Sequence, residues 1–134
     1  MNDDDLTAAV QAAFGCELHD YAGMHVIDAW AERDQALVAY VERKTRSIDR
    51  ATYPTALLDE RKWVGLIAAE FATGLPAILA YAWADGWGWC RPAHDIPVTV
   101  RIATTGPDTV SRNRGVPRPV VDIPLTAFTM VEAS

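Results

Sequence analysis

The sequence predicts an α/β fold in one domain, and three observations carry that expectation. A stretch with helical apolar spacing opens the chain and three short runs of strand-forming residues follow it. A second amphipathic stretch then leads into a short uncharged apolar run beginning at Pro76. With 134 residues, half of them hydrophobic, there is material for one real core and too little for two. The expected organisation is a single domain over residues 1–134.

Residues 4–15 read as a helix: early acids suit the positive end of its dipole, Leu6, Val10 and Phe14 share a face, and Gly15 is a stop. Residues 17–21 and 25–30 are candidate strands separated by Ala22 and Gly23. A loop at 32–35 leads into a third strand over 36–44, where Val38, Tyr40 and Val41 favour a pleated surface. The three form a meander whose register follows from the buried face. After Tyr53, Pro54 and Thr55 a helix is expected over about 57–73, with Trp63, Leu66, Ile67, Glu70 and Phe71 as its stripe and Gly74 at its end. Residues 76–83 read as a buried strand that Asp85 and Gly86 turn into 87–90 as a hairpin. Within it, Trp83, Trp87 and Trp89 are expected to fill a core or an interface rather than stack on bases. Residues 96–103 alternate and read as a strand, 104–119 as a long loop rich in Gly, Pro, Thr and Arg, and 120–128 hold a last short strand.

Composition excludes several classes. The most apolar stretch, 75–89, is interrupted by Pro76, Asp85 and Gly86 and cannot cross a bilayer as a helix. The acidic start at Asp3, Asp4 and Asp5 lacks the pattern of a signal peptide, so a cytoplasmic location is expected. Cys16 and Cys90 have no partner spacing and are expected to be buried thiols. The net charge of −6 opposes nucleic-acid binding in sum but not in distribution. Arg43, Lys44, Arg46 and Arg50 crowd one segment, and Arg112, Arg114 and Arg118 another.

The chemistry centres on Asp28, Glu42 and Lys44. Glu42 and Lys44 are two apart on one strand and so share a face, while Asp28, between Ile27 and Trp30, can meet them from the neighbouring strand. Two carboxylates and an ammonium in apolar surroundings suit a hard divalent cation beside a catalytic cation.

This constellation resembles the PD-(D/E)XK nuclease superfamily, with Asp28 in the place of the first acid and Glu42-Arg43-Lys44 as the (D/E)-x-K; Ile27 stands where the family's proline would be. The element order also resembles the family's αβββαβ restriction-endonuclease-like core over about 4–92, and the chain is most similar to small stand-alone members from phages and prophages. The resemblance implies a central mixed sheet flanked by helices, with 93–134 as a C-terminal β extension. It implies Mg²⁺- or Mn²⁺-dependent phosphodiester hydrolysis on DNA, with Asp28, Glu42 and the backbone carbonyl of Arg43 as ligands. Lys44 would act on the attacking water, and the Arg43 side chain would point to the opposite face.

Lys62, the second of only two lysines, either contacts phosphate from the helix after the motif or is a solvated position. Arg46, Arg50, Arg112, Arg114 and Arg118 are candidate phosphate contacts. Asp4 and Asp5 are poorly placed to supply the carboxylate that many relatives bring from the first helix, and Glu17 is a weak alternative. His25 and His19 are given ordinary roles, because their spacing offers no convergent His-based metal site. The expected function is a phage DNA endonuclease or exonuclease of processing, repair or junction resolution, working in the host cytoplasm. The competing reading is a non-catalytic DNA-binding or virion-assembly protein on the same fold. Expected partners are DNA, a second copy of the chain, or phage structural or replication proteins, with no membrane.

Overall fold

The computed structural model describes residues 1–104 and 116–132. Helix α1, Asp3–Phe14, begins at Asn2, whose side chain accepts from the Asp5 amide while the Asp5 carboxylate accepts from the Asn2 amide. Gly15 ends it in the left-handed region, with φ 62°. Strand β1, Glu17–Asp20, pairs antiparallel with β2, Ala29–Arg33, which pairs antiparallel with β3, Ala36–Thr45. The two-residue turn between β2 and β3 has positive φ at both Asp34 and Gln35, the combination that matches the twist of a tight hairpin.

The meander is as expected, but its second strand starts later. Residues 21–28 are irregular because the His25 Nδ1 accepts from the Ile27 amide at 3.1 Å and its ring stacks on Tyr21, replacing ladder bonds with local ones. Asp28 therefore sits at the junction of loop and strand rather than inside a strand.

A further strand, β4, Thr55–Asp59, occupies what reads locally as the start of the second helix. Helix α2 then spans Glu60–Thr73 and ends at Gly74. Its stripe is narrower than the spacing suggests: Trp63 and Leu66 are buried, whereas Phe71, about 80° round the helix from Trp63, is 92% exposed. Strand β5, Ala77–Trp83, is buried along its whole length and runs parallel to β3. It turns at Ala84 and Asp85 into β6, Gly86–Cys90. The extension supplies β7, Thr99–Thr104, β8, Pro117–Pro124, and β9, Thr129–Val131, with a 3-10 turn over Leu125–Ala127 dividing the stretch that reads as one last strand. β7 begins three residues later than expected because Ala93–Ile96 closes a turn first.

The strands form a mixed six-stranded sheet in the order β1-β2-β3-β5-β6-β9 and a three-stranded antiparallel sheet, β4-β8-β7. α1 covers one face of the large sheet, where Leu6 and Val10 pack on Ala80, Ala82 and Trp87. α2 and the small sheet share the other, where Trp63, Leu66, Leu58, Val121 and Ile123 enclose Leu79, Tyr81 and Trp83. This arrangement, a mixed sheet between helices with a β extension, is the restriction-endonuclease-like architecture. Cys90 is buried, and burial pushes its thiol up to about 12; Cys16 is only half-buried, contrary to expectation, and both are free.

Candidate active site

The parallel pairing of β3 with β5 sets the chemistry on one face. Glu42 lies opposite Leu79 and Lys44 opposite Tyr81, both of which belong to the α2-side core, so both charged side chains are directed to that side. Arg43 and Thr45 alternate to the α1 side, where Thr45 Oγ1 donates to Asp3 at 2.9 Å. Ala29 is paired with Val41, which puts Asp28 level with Glu42 at the end of the β2–β3 ladder.

Glu42 is the buried charged residue of the site, 7% exposed. Its Oε1 is shielded from solvent without a hydrogen bond, and the Lys62 Nζ lies 3.5 Å away as an ion pair. Burial pushes its carboxyl up to about 7; Lys62 and the Asp28 amide draw it back down, while the charge of Asp28 raises it further. Lys62 thus has a role that neither sequence alternative contained. It is the internal counter-ion of Glu42.

Asp28 is held by Arg43. Its Oδ2 accepts from the Arg43 amide at 3.2 Å and from Nε at 2.7 Å. The rest of that guanidinium reaches Thr7 Oγ1 on α1 at 2.8 Å and Asp20 on β1. The hydrogen bond to Asp28, aided by Asp20, holds Arg43 still more firmly in its charged form against the pull of burial. So the Arg43 side chain does lie on the face opposite Glu42, yet it is bound to the first acid rather than remote from the site. Both of its bonds fall on Oδ2.

The basic residues divide. Arg46 and Arg50 line a cavity of about 550 Å³ between the two sheets, beside Tyr53, Trp83 and Arg101. Arg50 also braces the fold: its Nη2 donates to the Leu125 carbonyl at 3.1 Å and its guanidinium lies 5.8 Å from the Trp83 ring centre. Arg101, which sequence reasoning did not single out, pairs with Asp122 through two hydrogen bonds. Arg118 pairs with Asp59 at 3.7 Å, and Arg112 and Arg114 lie outside the described residues. The acids at the start of α1 are engaged locally, Asp5 in the cap and Asp3 with Thr45. Glu17 lies on β1, where it meets His19 and Glu32, so the chain does bring together a histidine and two carboxylates that its linear spacing does not reveal.

The fold and the sheet position of the acids define a restriction-endonuclease-like protein. Over residues 1–131 the sequence matches the family described as "Phage putative PDDEXK endonuclease", and the chain belongs to that family. Among solved structures it is similar to Hjc, a Holliday junction resolvase from Archaeoglobus fulgidus, with a TM-score of 0.58 over 97% of this chain and 87% of that one at 15% identity. No curated protein matches the sequence. No helix among the described residues is long and apolar enough to cross a membrane.

Proposed function

We propose that this chain is a divalent-metal-dependent deoxyribonuclease, one domain over 1–134, that hydrolyses phosphodiester bonds in phage DNA. The observation that carries the reading is Glu42. Its Oε1 is buried without a hydrogen bond beside a second carboxylate, and although Lys62 lies 3.5 Å away the carboxyl stays raised to about 7. The lysine therefore offsets only part of the cost of burying this charge, and a further cation would offset more. The donor set fits Mg²⁺ or Mn²⁺, which favour carboxylate and carbonyl oxygens. Asp28, Glu42 and the Arg43 carbonyl would hold the ion, and Oδ1 is the Asp28 oxygen that Arg43 leaves to it. Such a cation supplies Lewis acidity, acidifying water and offsetting charge on the scissile phosphate.

The chain's own residues do the rest. Arg43 fixes the direction of the Asp28 carboxylate. Lys44, on the same face as Glu42, orients the attacking water and offsets charge in the transition state. Arg46 and Arg50, which follow Lys44 in the chain and line the cavity, continue the basic track along which a strand's phosphates can lie. The Holliday junction resolvase named above makes a four-way junction the first substrate to try, and a homodimer would present two sites related by symmetry.

The test is single-turnover cleavage of junction, flap, nicked and blunt DNA in Mg²⁺ or Mn²⁺. Lys44→Ala should cut turnover by roughly 10²-fold or more with metal binding retained. Equal cleavage by Lys44→Ala would reject the mechanism. One observation favours the non-catalytic alternative: Lys62 already supplies Glu42 with a cation from within the protein. Failure of the wild type to cut any substrate, with DNA binding intact, would select that reading.

A further inference from the structure

A second cluster of ligating side chains stands apart from Asp28 and Glu42. Glu17 and His19 are two residues apart on β1 and share a face, and Glu17 is paired with Glu32 across the ladder. The three ligand atoms lie within 4.8 Å of one another. His19 Nε2 is 3.7 Å from Glu32 Oε1 and 3.9 Å from Glu17 Oε1, too far for a hydrogen bond to either. That nitrogen is shielded from solvent and has no hydrogen-bond partner, although the side chain as a whole is 34% exposed. Its direction is fixed by the ring, which stacks on Trp30 with centroids 4.3 Å apart and planes at 22°.

A dry ring nitrogen between two carboxylates is stabilised by a positive charge placed among them. We propose that Glu17, His19 and Glu32 form a second divalent-cation site, specific for a borderline transition metal such as Zn²⁺ rather than Mg²⁺. The imidazole decides the class, since Mg²⁺ takes oxygen ligands in near-octahedral geometry and nitrogen donors suit zinc and its neighbours. Bonds of about 2.1 Å in a tetrahedral site put the donors about 3.4 Å apart. The two histidine–glutamate separations are already close to that, and Glu17, 68% exposed, is free to rotate the remaining distance. Water completes the shell from the open side.

The site bridges β1 and β2, and β1 carries Asp20, the partner of Arg43. Tyr21, the next residue, donates its amide to the Asp28 carbonyl at 3.2 Å. An ion there clamps the two strands that set the position of Asp28. Its existence does not depend on the nuclease reading.

Calorimetric titration with Zn²⁺ in the Glu42→Gln background, where the acidic site is disabled, should show one ion per chain. Saturation should raise Tm by about 5 °C, with no comparable shift from Mg²⁺. His19→Gln should abolish binding. Glu32→Gln, which leaves the His19–Trp30 stack in place, should weaken it about tenfold or more. No Zn²⁺ binding by folded Glu42→Gln protein, retention of full affinity in both ligand variants, or an equal response to Mg²⁺ overturns the proposal. None of these outcomes touches DNA cleavage, so the two readings fail separately.

Discussion

Glu42 and Arg43, adjacent on β3, face opposite sides of the sheet and carry opposite electrostatic problems. With its carboxyl raised from 4.5 to about 7, folded Glu42 retains a proton that the unfolded chain has lost between those values. Stability of the metal-free protein is therefore fullest below about pH 4.5 on this account and declines as pH rises through 7, by about 3 kcal/mol in all. Glu42→Gln removes the ionisation penalty, so in chelator at pH 8 it should melt higher than wild type, with the advantage gone at pH 5. Thermal melts at both pH values check this, and added Mg²⁺ should stabilise only the wild type. Arg43→Ala leaves Asp28, Asp20 and Thr7 without their common donor and should cost about 2 kcal/mol in urea denaturation. Its effect on cleavage should approach that of Lys44→Ala rather than be slight. Arg43→Lys should not restore activity, because an ammonium cannot address three partners as the planar fork does.

Among the elements, β4 is the one whose existence depends most on distant chain. Its partners on β8, Thr55 with Pro124 through Asp59 with Val120, lie more than sixty positions away, so no local pattern distinguishes it from the beginning of α2. What it contributes is closure of the α2-side core: Ala56 and Leu58 are buried against the same cluster as Trp63, Leu79 and Tyr81, and the Tyr81 hydroxyl donates to the Leu57 carbonyl at 3.0 Å. Leu58→Ala should accordingly cost 2–5 kcal/mol, roughly the range for a buried leucine, and a denaturant titration measures it. An exposed substitution on the same strand pair has no such cavity to leave.

For the whole molecule, an excess of acid coexists with a basic cavity. Lys and Arg total 12 against 18 Asp and Glu, yet Arg46, Arg50 and Arg101 converge between the two sheets. Binding of DNA should depend on these local charges. Arg46→Ala with Arg101→Ala should reduce the slope of log affinity against log salt by about 0.9 for each phosphate no longer neutralised, measured by fluorescence anisotropy over a salt series. Arg118→Ala should change it less, since Arg118 is not among the residues that line the cavity. A slope unchanged in the double variant would remove the cavity from the DNA path.

Hydrophobic period and punctuation by themselves determined α1, β3, β5 and the β5–β6 hairpin, because helix caps, two-residue turns and a bounded apolar run are local physics. The acid-acid-lysine pattern was likewise legible, since alternation on one strand is enough to put Glu42 and Lys44 on one face. Tertiary structure decided the rest. Only the folded chain brings Lys62 against Glu42, wraps Arg43 around Asp28, pairs β4 with β8 and sets Glu32 beside His19. Each of these joins residues far apart in sequence, where burial and the sheet register select the partner and no spacing along the chain encodes it.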